Sequence, residues 1–271
     1  MRALAHAKLN LALVVGPTLP NGKHELTTVF QRLALADTLE LVPHVGETVV
    51  DGFAEDTLVT GALALLGEAS GVPQRYRVGL EKRIPVAAGL GGGSADAAAA
   101  LRLANSALPR PLPAAELAAL ASELGADVPF FLTEGPQLGE GDGSLLSPLP
   151  GLPQAFHVLL LSPHGAVKES TGAVYRAFDA RHGEEGYTAR RALLLATLAA
   201  AAAPGDLAVL PGNDLASSPL APALLAAGAF RADVSGAGPA VYALFERAQD
   251  AHAAAAVFAP LATTLVTAAV L

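Results

Sequence analysis

The stretch Ala88-Gly89-Leu90-Gly91-Gly92-Gly93-Ser94 decides how the rest of the chain is read. Four glycines in five residues leave backbone N–H groups unshielded, so an anion can approach the main chain closely. A segment of strand character, residues 76–81, precedes it. An alanine-rich segment, expected to be helical from Ser94 to about Leu108, follows it. A helix start adds free N–H groups and a positive dipole end, the combination that binds phosphate. Ser94 offers a hydroxyl suited to a phosphate oxygen or a metal-bound water, or it is an ordinary N-cap. Asp96, in the first turn, complements the dipole but would repel phosphate if it pointed inward. Two familiar phosphate loops fit poorly. A Walker A loop needs Lys where Gly93 stands, and a dinucleotide fingerprint begun at Gly89 needs Gly where Ser94 stands.

Composition limits what such a loop can serve. The 271 residues are 52% hydrophobic and 15% charged, which describes a folded globular chain of one large or two ordinary domains. A net charge of −8 argues against general nucleic-acid binding. Without cysteine there is no disulfide, thiolate nucleophile or Cys-ligated zinc, which is compatible with the cytoplasm. The seven histidines show no paired ligand spacing, so no dedicated metal site is expected. The apolar run 192–203 is too short to span a bilayer. The tail 253–271 contains Pro260 and three threonines, and reads as a helix, a turn and a final strand.

Working outward, residues 3–15 have strand character up to Gly16-Pro17, and Pro20-Asn21-Gly22 is a turn. Strand alternation resumes through Leu33, Leu35, Leu39 and Leu41, and residues 58–69 read as a helix. A further helix is punctuated by Pro113, Glu116 and Gly125, which places Asp127 just beyond its end, held by Pro129. Glycine and proline are dense between residues 135 and 153, and the domain boundary is placed there: 1–150 and 151–271. Beyond it, residues 156–161 and 242–245 read as strands, with helices starting at 171, running through 198 and covering 220–227. Asn213-Asp214 is a candidate helix cap. Lys8 and Asn10 share one face of an otherwise apolar strand, and Asp127 is a charge in an apolar setting that needs a partner or a function. On the residues alone, Lys8 reads as a solvated strand lysine, and Asp127 reads equally as a turn residue or a functional carboxylate.

Ala7-Lys8-Leu9-Asn10-Leu11, Gly22-Lys23-His24-Glu25-Leu26, Ile84-Pro85 with the glycine loop, Gly125-Ala126-Asp127-Val128-Pro129 and Ser235-Gly236-Ala237-Gly238-Pro239 occur in that order. Together they resemble the GHMP kinase superfamily, and within it the kinases of a cytidine diphosphate sugar alcohol in non-mevalonate isoprenoid synthesis. The resemblance covers residues 3–245. It implies a two-domain α+β fold, with a ribosomal-protein-like ATP-binding domain and a ferredoxin-like C-terminal substrate domain. It implies ATP, with Mg2+ brought by the nucleotide, and phosphorylation of a sugar-alcohol hydroxyl.

By resemblance, Asp127 accepts the hydroxyl proton while Lys8 orients the hydroxyl and stabilises developing charge. Pro85, Val86, Ala87, Ala88, Gly89, Leu90, Gly91, Gly92, Gly93, Ser94 and Ala95 hold the phosphates, and Lys82 lies beside the adenosine pocket. Asn10 lies near the sugar-alcohol end. His24 hydrogen-bonds cytosine and Tyr175 is one of two stacking aromatics. Lys23 stands where the other aromatic usually is, Thr57 replaces an Asn near adenine, and Ala95 replaces a second Ser. The remaining alternatives are a homoserine- or mevalonate-type kinase of the same superfamily and a non-catalytic nucleotide-binding protein.

Overall fold

The computed structural model describes residues 1–166 and 170–270. The chain forms two compact units that are not consecutive halves. The first comprises residues 1–7, 35–86 and 91–134; the second comprises 8–34, 87–90 and 135–271. Two long strands cause this interleaving. The strands β1 (Arg2–Thr18) and β2 (His24–Pro43) each begin in one unit and end in the other. The turn between them is the expected one. Gly22 has a φ of 80°, and its N–H donates to the Leu19 carbonyl. The first strand is longer than its sequence suggests: it passes through Gly16, whose backbone lies against the ring of Tyr187, and Pro17 to end at Thr18.

In the first unit, β3 (Val49–Asp51) lies parallel to β4 (Tyr76–Glu81), and β4 lies antiparallel to residues 38–43 of β2. The strand β4 alternates buried and exposed, as its sequence Tyr-Arg-Val-Gly-Leu-Glu requires of a sheet with one covered face. Three helices belong to this unit: α1 (Leu58–Ser70), α2 (Gly92–Ser106) and α3 (Ala114–Leu124). Both α2 and α3 pack against α1. The interior face of α2 is almost wholly alanine, which lets α1 approach closely.

In the second unit, β5 (Gln137–Glu140) pairs with residues 28–30 of β2, and β6 (Leu145–Pro148) pairs with β5. The C-terminal part of this unit contains four strands: β7 (His157–Pro163), β8 (Arg231–Val234), β9 (Val241–Phe245) and β10 (Ala262–Ala268). They form an antiparallel sheet in the order β10-β7-β9-β8. Three helices, α4 (Thr171–Ala180), α5 (Tyr187–Ala200) and α6 (Leu220–Ala226), lie between β7 and β8 in sequence. A fourth, α7 (Ala248–Phe258), joins β9 to β10. This strand order and connection pattern is the ferredoxin-like one. Leu159, Leu161, Val241 and Phe245 pack with Leu224 of α6 and Ala251, Ala254 and Phe258 of α7. On the other face, Tyr242 donates its hydroxyl to the Leu11 carbonyl, and burial pushes its pKa to about 12. No helix among the described residues is long and apolar enough to cross a membrane.

Arg231 organises the corner of this unit. Its buried guanidinium donates to the carbonyls of Leu207, Leu210 and Pro211 and to the Tyr242 hydroxyl. Removing it strands several buried acceptors at once. Arg231→Leu is therefore expected to lower folding stability by about 3 kcal/mol or more. The check is the denaturation midpoint, and a change within experimental error would contradict this role.

Candidate functional site

The glycine loop divides between the units, residues 87–90 in the second and 91–94 in the first. In the second unit the loop is held by its backbone. Lys8 N–H donates to the Leu90 carbonyl at 2.9 Å, and Ala240 N–H donates to the Ala88 carbonyl at 3.1 Å. The Ser235 hydroxyl donates to the Gly89 carbonyl at 3.0 Å. Gly89 has a φ of 84°, and a Cβ added there would lie 2.2 Å from the Ser235 carbonyl oxygen. Only glycine tolerates both conditions. Ala87 also has a positive φ, 59°, so the loop is entered through a costly backbone conformation of the kind that clusters at functional sites.

The Ser235-Gly236-Ala237-Gly238 turn is secured by Asn213, whose side-chain amide donates to the Val234 and Gly236 carbonyls. Asn213 Oδ1 accepts from the Leu215 N–H. Asn213-Asp214 therefore closes a turn and anchors another one; no helix begins there. Beside this turn stand Lys8 and Asn10, both nearly completely buried. Lys8 Nζ donates to Asn10 Oδ1 at 2.5 Å, Asn10 Nδ2 donates to Thr28 Oγ1 at 2.8 Å, and that hydroxyl donates to the Ala12 carbonyl. A Cβ on Gly236 would come within 3.5 Å of Lys8 Nζ. Lys8 is thus no solvated strand lysine: its strand face is buried beside the backbone of two glycine turns.

In the first unit the helix α2 begins at Gly92, two residues before Ser94, because Gly91 adopts a left-handed φ of 72° and serves as the N-cap. Two loop glycines therefore belong to the first turn, and no side chain caps its N–H groups. Side chains at these positions would meet close neighbours. A Cβ at Gly92 would sit 3.1 Å from Ile84 and 3.2 Å from Lys82 Nζ, and one at Gly93 would sit 3.0 Å from Leu58. A cradle that side chains would fill, at an uncapped 15-residue helix, fits a nucleotide phosphate. Pro85 and Val86 lead into the loop, Val86 being exposed, while Ala95 is buried in the helix.

Lys82 does not point into open solvent. It forms ion pairs with Asp37 and, at 2.6 Å, with Asp96, and both carboxylates are buried. Asp37 Oδ1 also accepts the N–H groups of Arg83 and Ile84. Burial above all, with Asp37 beside it, raises the Asp96 carboxyl from 3.8 to about 7 against the downward pull of Lys82. Asp127 follows the cap at Gly125 and precedes a 3-10 turn, Pro129–Leu132, as its punctuation implies. It is half-buried beside the buried Val128, Phe130 and Phe131. It belongs to the first unit, whereas Lys8 belongs to the second.

A third cluster lies wholly in the second unit. The His24 ring stacks on Tyr175 with centroids 4.9 Å apart and meets Phe178 edge-on at 5.7 Å. His24 Nε2 is 2.7 Å from Asp179 Oδ1, one helical turn beyond Tyr175 on α4. Lys23 pairs with Asp142 at 2.6 Å, and that pairing, with the Ser144 hydroxyl, holds the Asp142 carboxyl below the usual range. Sequence reasoning brought His24 and Tyr175 together but missed Asp142 and Asp179. The spacing of Asp179 from Tyr175 along one helix face was the available signal. Asp37 was missed because a charge on an alternating strand ordinarily faces water.

A strand-cradled glycine loop, a buried lysine on the neighbouring strand and a ferredoxin-like C-terminal part define the class: a two-domain α+β kinase of the GHMP type. The sequence models of that family agree, the GHMP kinases N terminal domain matching residues 57–135 and GHMP kinases C terminal matching residues 220–261. A 4-diphosphocytidyl-2-C-methyl-D-erythritol kinase of Salinispora arenicola is 38% identical over 93% of this chain and 85% of the relative. That of Nocardia farcinica is 41% identical over 93% and 87%. A crystal structure of 4-(cytidine 5'-diphospho)-2C-methyl-D-erythritol kinase superposes with a TM-score of 0.80 at 31% identity, covering 99% of both chains. The chain belongs to the GHMP kinase family, in the branch of the 4-diphosphocytidyl-2-C-methyl-D-erythritol kinases.

Two outcomes follow from this geometry. Gly89→Ala is expected to cost more than about 1 kcal/mol of stability from the left-handed φ alone, plus the clash with Ser235; an unchanged denaturation midpoint would contradict it. Between pH 3.8 and about 7, folded Asp96 holds a proton that the unfolded chain has released. Its contribution to stability therefore falls as pH rises through that window. Asp96→Asn lacks this loss, so its stability relative to the natural chain should rise from pH 4 to pH 7. Equal differences at both pH values would contradict the assignment.

Proposed function

We propose that the chain is an ATP-dependent kinase that phosphorylates the 2-hydroxyl of 4-diphosphocytidyl-2-C-methyl-D-erythritol, a step of non-mevalonate isoprenoid precursor synthesis. The observation that carries the reading is the seating of residues 88–90 against the strand that presents Lys8 and Asn10, with Ser235 closing the loop from the other side. Such an arrangement puts a phosphate-binding main chain beside a buried ammonium.

Lys82 and residues 85–95 would hold ATP. The nucleotide supplies the phosphoryl group and brings Mg2+, whose charge offsets that of the phosphates. The protein's contribution is then positioning and charge. Asp127 takes the proton from the substrate hydroxyl. Lys8, oriented by Asn10, steadies the hydroxyl oxygen and the negative charge that develops on it. That Lys8 and Asp127 serve one hydroxyl rests on the correspondence of the two motifs with the family. His24 and Tyr175 receive the cytosine, His24 through hydrogen bonds and Tyr175 by stacking. At the usual place of a second aromatic, the stem of Lys23 lies beside the base with its ammonium turned to Asp142.

Purified protein should consume ATP with the cytidine diphosphate alcohol and not with homoserine or mevalonate. Turnover of homoserine or mevalonate in place of the cytidine compound would move the chain to another branch of the superfamily. Asp127→Asn should lose phosphoryl transfer by about 100-fold or more, the contribution of a general base, while retaining ATP binding. Full turnover by this variant would refute the assignment of the base. Retained ATP binding without turnover of any alcohol by the natural chain would indicate a non-catalytic nucleotide-binding protein.

A further inference from the structure

A buried carboxylate close behind the start of a phosphate-binding helix is an electrostatic oddity, since its charge opposes the anion that the helix end attracts. Asp96 occupies that place: it is the fifth residue of α2, just beyond the first turn because the helix starts at Gly92, and its side chain is engaged by Lys82. The same ammonium holds Asp37 near the middle of β2, and Asp37 in turn receives the N–H groups of Arg83 and Ile84. Lys82 Nζ and the Ile84 side chain are the groups that a Cβ on Gly92 would strike. One lysine therefore ties together three segments of the first unit: β2, the 82–84 backbone and the N-terminal part of α2.

This network is an inefficient way to gain stability. Two carboxylates share a single ammonium out of solvent, and Asp96 Oδ1 is buried without a hydrogen-bond partner. Apolar side chains of similar volume would fill the space at lower desolvation cost. What the ion cluster supplies, and a greasy contact would not, is a directional distance between the helix start and the strand end. The distance matters at Gly92, where a Cβ would sit 3.1–3.3 Å from Ile84 and Lys82.

We propose that Asp96 and Asp37 are positioning residues for the nucleotide loop, acting through Lys82, which they hold as a strut against Gly92. The inference rests on the reading of the loop as an ATP site. In this arrangement Lys82 supports the loop from beneath, and its charge is shared by two carboxylates. Asp96→Asn, which keeps an acceptor for Lys82, is then tolerated, whereas Asp96→Ala cuts the strut.

The experiment measures kcat, the KM for ATP and the KM for the cytidine diphosphate alcohol, with affinity for a non-hydrolysable ATP analogue determined by calorimetry. Asp96→Ala should raise the KM for ATP and the analogue Kd about tenfold, the equivalent of one charge-assisted hydrogen bond. The KM for the alcohol and kcat at saturating ATP should stay within about twofold. Asp96→Asn should recover most of the nucleotide affinity. Lys82→Met combined with Asp96→Ala should be no worse than the more damaging single change, because both act on one link. Unchanged nucleotide affinity in Asp96→Ala, additive effects in the double variant, or equal losses in kcat and both KM values would overturn the proposal. If Asp96→Ala does not fold, Asp37→Ala, which removes the other acceptor of Lys82, provides the same comparison. Failure of the natural chain to bind the analogue would instead overturn the ATP reading itself, and the proposal with it.

Discussion

The close approach of two main-chain segments at Gly89 is the constraint on which the site depends. A Cβ there would lie 2.2 Å from the Ser235 carbonyl oxygen, so the loop can be seated only with no side chain at that residue. Once seated, the segment's carbonyls accept backbone hydrogen bonds from Lys8 and Ala240 and one from the Ser235 hydroxyl. The glycines here therefore have two separate duties. Gly89 permits packing within the protein, whereas Gly92 and Gly93 keep the mouth of α2 clear of side chains.

The two lysines show how one residue type is put to different uses by its neighbours. Lys8 is held by the neutral amide of Asn10, itself fixed by Thr28. Lys82 is held by two carboxylates. The first arrangement leaves an ammonium suited to steadying charge at a reacting oxygen; the second turns an ammonium into a structural tie. A net charge of −8 for the whole chain is no obstacle to binding a polyphosphate when the local donors are backbone N–H groups and one buried lysine.

Much of the architecture was legible in the sequence because its punctuation is strong. Asn21-Gly22, Pro113 with Gly125, and the alanine-rich segment after the loop each mark an element that the structure contains. The start of α2 was misplaced by two residues because glycine has poor intrinsic helix propensity, and tertiary packing against Ile84 and Leu58 overrode it. The partners of the functional residues were harder to read. Asp37, Asp179 and Asn213 act through contacts 45, 155 and 21 residues distant in sequence, and although helix spacing hints at Asp179 and cap chemistry at Asn213, no local pattern specifies these partners. Asp96 reads from the sequence as a first-turn carboxylate, but the earlier start of α2 at Gly92 moves it beyond that turn, where Lys82 holds it through a contact 14 residues distant in sequence.

The central claim is that Asp127 and Lys8 act on a single hydroxyl of a cytidine diphosphate alcohol beside the terminal phosphate of ATP. A crystal structure of the ternary complex with a non-hydrolysable ATP analogue and 4-diphosphocytidyl-2-C-methyl-D-erythritol tests it most directly. The 2-hydroxyl should lie within about 2.6–3.2 Å of an Asp127 carboxylate oxygen, or one water away, and in line with the terminal phosphorus. A closed complex in which that hydroxyl is remote from Asp127, or in which another alcohol carbon faces the phosphate, would contradict the account.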